Sequence, residues 1–105
     1  MYAMVRRYRM RAGSIDDLMH EVDTRFADRL QEQLGILHYQ AIHTGGGTIM
    51  TVTVFEDEEQ CRRSETAAAG VREALSEFRV EEIEALTGEV MVSRATESVL
   101  KPVHH

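Results

Sequence analysis

Residues alternate with a period of two over positions 2–10. Tyr2, Met4, Arg6, Tyr8 and Met10 share one face, and Ala3, Val5, Arg7 and Arg9 the other. That spacing predicts a strand. Ala12 and Gly13 turn the chain. The period then lengthens. Ile15, Leu18, Met19, Val22, Phe26 and Leu30 follow the i, i+3, i+4, i+7 spacing of a helix, predicted to run from Ser14 to near Leu34 with Gly35 as its C-terminal cap. The Ser14 hydroxyl can accept from the backbone N–H near Asp17, while Asp16 and Asp17 suit the positive end of the helix dipole. A second helix is predicted from Asp57, with Gln60 at the capping-box position and an apolar line of Cys61, Ala67, Ala68, Val71, Leu75 and Phe78. Its middle is thin. Ala67, Ala68, Ala69 and Gly70 let a helix approach a sheet closely or leave room beneath it, and Gly70 is a point for a kink. Residues 80–87 fit either a last helical turn or an extended link. Residues 89–95 read as the fourth strand, and residues 96–105, with the only proline (Pro102), as a polar tail.

Between the helices lies the most informative stretch, residues 36–55, ILHYQAIHTGGGTIMTVTVF. Two β-rich runs flank Gly45, Gly46 and Gly47, a hairpin signal because glycine reaches positive φ without a Cβ clash. Pairing Thr44 with Gly47, or His43 with Thr48, puts Leu37, Tyr39, Ala41 and His43 on one face with Thr48, Met50, Val52 and Val54. Ile36, His38, Gln40 and Ile42 then join Ile49, Thr51, Thr53 and Phe55 on the other. Neither face alternates cleanly enough to meet water. Both need a cover.

The element order is β-α-β-β-α-β. It predicts an α+β, ferredoxin-like plait: a four-stranded antiparallel sheet with both helices on one face. Residues 1–95 form the single domain expected, and residues 96–105 its tail. The helices cover one sheet face. Ile36, His38, Ile42, Ile49 and Phe55 mark the other as an interface, and a twofold partner presenting the same face is the simplest cover, making a homodimer.

Composition narrows the classes. A net charge of −6 argues against a broad nucleic-acid surface. RNA-recognition modules share this strand order but need a Lys/Arg-Gly-aromatic motif in the third strand, and residues 48–55 have none. The lone Cys61 excludes an intrachain disulfide and any multi-cysteine metal site. No apolar run reaches the ~20 residues of a membrane span. MYAMVRRYRM lacks a signal-peptide core, so a cytoplasmic location is expected.

Three short stretches resemble the antibiotic-biosynthesis-monooxygenase-like branch of the dimeric α+β barrel superfamily. They are the turn Arg11-Ala12-Gly13-Ser14, the approach to the second strand Leu34-Gly35-Ile36-Leu37-His38-Tyr39, and the third-strand end Val54-Phe55-Glu56-Asp57-Glu58-Glu59. The resemblance spans roughly residues 2–95. It implies a homodimer whose sheets meet as a barrel, with a ligand pocket between each sheet and its own helices. It also implies a cofactor-independent monooxygenase acting on an aromatic or polyketide-type small molecule. There are departures. Ser64 stands where many relatives place a His, Phe55 where some have Trp, and the chain has neither Asn nor Trp. The alternative is a non-catalytic, homodimeric small-molecule-binding module of the same fold.

Tyr39 and His43 are the catalytic candidates, as bases toward a phenol or enol. Arg6, Tyr8 and Met50 are the substrate-binding candidates, with Arg6 holding the anion. The structural alternative packs Tyr39 in the core with its hydroxyl at the edge and leaves His43 as a solvated strand end. His38 is expected within the dimer interface. No metal site is expected, because His38 and His43 point to opposite faces and no HxxxH or carboxylate pairing joins them. Arg7, Arg9 and Arg11 form a stripe that pairs with acids on a neighbouring element, Glu56 or Glu89 being available. Cys61 is read as packing.

Overall fold

The structure, a computed structural model, describes residues 1–27, 32, 35–101 and 103, and of residues 67–72 and 74 the backbone alone. The expectations for Leu30, for a helix end at Leu34, for the side chains of Ala67, Ala68 and Val71, and for Pro102, His104 and His105 lie outside the described residues.

Four strands form one antiparallel sheet in the order β2-β3-β1-β4. They are β1 (Tyr2–Met10), β2 (His38–Gly45), β3 (Thr48–Phe55) and β4 (Val80–Glu89). Helix α1 (Ile15–Glu21) follows β1, and α2 (Glu58–Ala74) joins β3 to β4. The expected ferredoxin-like plait is the fold observed. Both predicted caps are present. Ser14 Oγ accepts from the Asp17 amide at 3.1 Å, and Asp57 Oδ1 from the Gln60 amide at 2.8 Å. Each satisfies an N–H that has no partner inside its helix. The α2 backbone runs through Gly70 without a break.

Helix α1 does not continue as a regular helix. Val22–Ala27 widens into a π-helical segment. The wider turn is a device often found at functional sites. Gly35 has the positive φ, 61°, expected of a cap.

β4 begins earlier than predicted. Leu75 leads into a 3₁₀ turn, Ser76–Phe78, and Arg79 closes it with a left-handed φ of 49°. The strand starts at Val80, whereas residues 90–95 carry no regular structure. β4 is an edge strand, so most of its side chains face solvent. That explains why its acidic sequence hid it: an edge needs little apolar patterning and is protected by charge. The Arg stripe finds its acids here rather than at Glu56 or Glu89. Arg7 pairs with Glu84 at 3.4 Å and Arg11 with Glu81 at 2.8 Å.

The β2–β3 hairpin carries the main correction. Gly46 and Gly47 have φ of 58° and 74°, as a mirror-image hairpin turn requires. Gly45 pairs with Thr48, but a bulge between Gly45 and His43 takes up Thr44, so His43 pairs with Ile49. One extra residue inverts the facing of everything beyond it. Tyr39, Ala41 and His43 therefore share their face with Ile49, Thr51 and Thr53, not with Met50, Val52 and Val54.

The face toward the helices holds two apolar clusters. Leu18, Phe26, Ile49, Leu75 and Phe78 form one; Met4, Ile36, Phe55 and Cys61 form the other. Ile36, Ile49 and Phe55 are thus core residues of the single chain, and their expected place in a dimer interface is corrected. Phe55 is only 1% exposed. The opposite face carries Val5, His38, Ile42, Met50, Val52 and Val54. Among the described residues no helix is long and apolar enough to cross a membrane.

Candidate ligand-binding site

A cavity of about 130 Å³ lies between the sheet and its helices. Its walls draw on both clusters: Leu18, Phe26 and Ile49 from one, Met4, Ile36 and Phe55 from the other. Strand register explains the gap between them. Arg6 sits opposite Thr51 on β3 and Ala85 on β4. This row is too polar or too small to join the apolar clusters on either side. The π-helical segment adds Val22 and Phe26 to the lining.

Arg6 and Tyr8 from β1 and Tyr39 from β2 all line this cavity. Met50 does not. The bulge turns it to the opposite face, so its substrate-binding role is corrected. His43 shares the inner face of β2 but is exposed near the hairpin end and is not among the lining residues. The two catalytic candidates are therefore not brought together.

Burial, and secondarily the neighbouring Tyr8, pushes the Tyr39 phenol far above its ordinary value. Removing the phenol from water penalises the phenolate. At neutral pH Tyr39 offers a donor O–H, not a base. Arg6 is buried, and its guanidinium reaches Glu82 at 3.5 Å. Burial also raises the Cys61 thiol, followed by the nearby Glu65, consistent with packing rather than reactivity.

Several lining residues escaped the sequence reading. Thr51 and Thr53 were assigned to the outer face by the unbulged register, and they line the cavity. Ser64 lines it from α2, where its hydroxyl donates to the Cys61 carbonyl at 2.7 Å. The helix thus satisfies the hydroxyl internally, and the small side chain leaves space. Only its likeness in position to a family His marked it in the sequence. Among the described residues no group of His, Cys, Asp and Glu is arranged to hold a metal ion.

No protein-family model matches the sequence, and no curated protein does. Likeness appears in three dimensions. HapK from Hahella chejuensis superposes with a TM-score of 0.68 at 15% identity, covering 91% of this chain and 98% of that one. SnoaB, a cofactor-independent oxygenase from Streptomyces nogalater, gives 0.66 at 14% identity, covering 88% and 94%. The monooxygenase ActVA-Orf6 of Streptomyces coelicolor, solved in complex with Nanaomycin D, gives 0.59 at 16%, covering 90% and 92%. The chain has the fold of the antibiotic-biosynthesis monooxygenases. The neighbours match over nearly their whole lengths, so the likeness takes in the whole sheet-and-helix fold.

Proposed function

We propose that this chain is a cofactor-independent monooxygenase-type protein that takes an aromatic or polyketide-type small molecule into the cavity beneath its sheet. One observation carries the reading: an apolar cavity in which Arg6, Tyr8 and Tyr39 are the polar groups of strands β1 and β2. Such a site desolvates a planar substrate and stabilises an oxyanion formed on it. Two structural neighbours support it, SnoaB as a cofactor-independent oxygenase and ActVA-Orf6 as a monooxygenase in complex with Nanaomycin D.

The chemistry asks little of the protein. An activated CH₂ group, as in the keto tautomer of a quinol, gives a proton to solvent that the peroxide later takes back, and its anion passes one electron to O₂. Radical and superoxide combine into a C–O bond, and the hydroperoxide loses water to leave a carbonyl. Arg6 favours the anion by its charge in a low-dielectric site. Tyr39 donates a hydrogen bond to the same oxygen and keeps its own proton.

A second reading has an observation of its own. Neither expected base is available: Tyr39 is held protonated, and His43 is absent from the lining. This favours a module that binds its ligand without transforming it. Oxygen-electrode measurements with a panel of reduced quinols separate the two. Oxygen uptake above the uncatalysed rate, lowered by Arg6→Met, supports the enzyme. Saturable ligand binding with no uptake across the panel supports the binding module and rejects the enzyme. In either case the apolar outer face of the sheet is the proposed contact for a second copy of the chain.

A further inference from the structure

The cavity is charged in a way its apolar walls do not explain. Among the described lining residues Arg6 alone carries a formal charge, and none is a carboxylate. The Arg6 side chain is 9% exposed. One terminal nitrogen lies 3.5 Å from Oε1 of the partly exposed Glu82. Its Nε is buried and has no hydrogen-bond partner among the described residues. Folded proteins rarely leave such a donor unsatisfied, and a ligand acceptor is one reason to do so.

The other polar side chains among the described lining residues are hydroxyls: Tyr8, Tyr39, Thr51, Thr53 and Ser64. Ser64 already spends its proton on the Cys61 carbonyl. Tyr39, a phenol protonated at neutral pH, presents another donor. The cavity therefore offers positive charge and O–H donors, and its complement is an oxygen-centred anion. Size limits the rest of the ligand. A volume of about 130 Å³ is close to that of an engineered apolar cavity, ~150 Å³, that holds benzene.

We propose that the cavity binds a single-ring aromatic oxyanion, its charged oxygen on Arg6 Nε and its ring between the two apolar clusters. This rests on the reading of the cavity as a ligand site and narrows it to one ring. A carboxylate and a phenolate share the required chemistry.

Calorimetric titration of the full-length protein with benzoate, with ionised 4-nitrophenol, and with toluene as a neutral ring tests the proposal. At least one anion is expected to bind tenfold or more tightly than toluene. Benzoate alone assigns the carboxylate, 4-nitrophenolate alone the phenolate. Equal affinity for toluene and both anions, or no binding of either anion, overturns the proposal. Arg6→Met is expected to lower anion affinity at least tenfold and leave toluene affinity unchanged. If that variant does not fold, the wild-type Arg6 Nε–H resonance replaces it. It should shift on adding the bound anion and not on adding toluene; no shift overturns the assignment of Arg6. A three-ring hydroxyanthracene binding more tightly than the single-ring anions would overturn the size limit. The two levels fail separately. Anion binding without oxygen uptake from any quinol rejects the oxygenase reading alone, whereas quinol oxidation without anion binding rejects this one alone.

Discussion

The two faces of the sheet are built from similar residues and have opposite fates. The inner face holds Met4, Ile49 and Phe55, all buried under the helices. The outer face holds Val5, Val52 and Val54, half-buried, with Ile42 and Leu86 exposed. Apolar content alone does not separate them. What separates them is a second layer: the inner face is covered by the chain's own helices, whereas Ile42 and Leu86 of the outer face stay exposed among the described residues. A polar row runs through the buried face, Arg6 beside Thr51, and there the cavity opens. Charge on the outer face is spent in pairs such as Arg7 with Glu84, whereas the inner arginine keeps a donor in reserve.

The sharpest break of this contrast is a pair of neighbouring substitutions. Phe55→Ala should cost about 3–5 kcal/mol in urea unfolding. Val54→Ala, one residue away on the opposite face, should cost roughly 1 kcal/mol or less in the monomer. Equal losses would mean that both faces are packed alike. Next is Val52→Lys, which places a charge in the outer face. If a second copy covers that face, light scattering should show the dimer weakened by about a hundredfold, roughly 2.8 kcal/mol, with circular dichroism unchanged. A wild-type protein that is monomeric at micromolar concentration would remove the proposed contact.

Tyr39 gives a smaller, pH-dependent signal. An unfolded phenol ionises near pH 10, whereas the folded one keeps its proton well beyond that. The stabilisation is therefore complete below about pH 10 and falls as pH rises above it, by up to ~1.4 kcal/mol per pH unit. Denaturant unfolding from pH 9 to 11 should show a shallower alkaline decline in Tyr39→Phe than in wild type. Parallel curves would mean that the phenol is not buried. The smallest effect expected is that of Ser14→Ala, about 1 kcal/mol from the lost cap. Its value lies in being independent of either face.

Much of the fold was legible. Alternation in β1 grouped Arg6 with Tyr8 on one face, which the fold then turned toward the helices, and both caps were read from single residues. The α1 stripe supplied four members of the cavity wall: Leu18, Met19, Val22 and Phe26. The site was half legible. Thr51 and Thr53 were missed, and Met50 was wrongly included, for one reason. A bulge at Thr44 has no strong sequence signature when glycines follow it, since the same glycines suit an unbulged turn. The fourth strand was misplaced because an acidic edge strand resembles a helical end or a link.

By itself the sequence determined the order of elements, the helix starts and which β1 residues share a face, because local periodicity and capping depend on near neighbours along the chain. Only the tertiary structure decided which hairpin residues face inward. Register is a pairing of distant residues, and one extra residue reverses it. The tertiary structure also decided that the polar row at Arg6 becomes a cavity, since packing around a charge depends on what the helices bring to the other side.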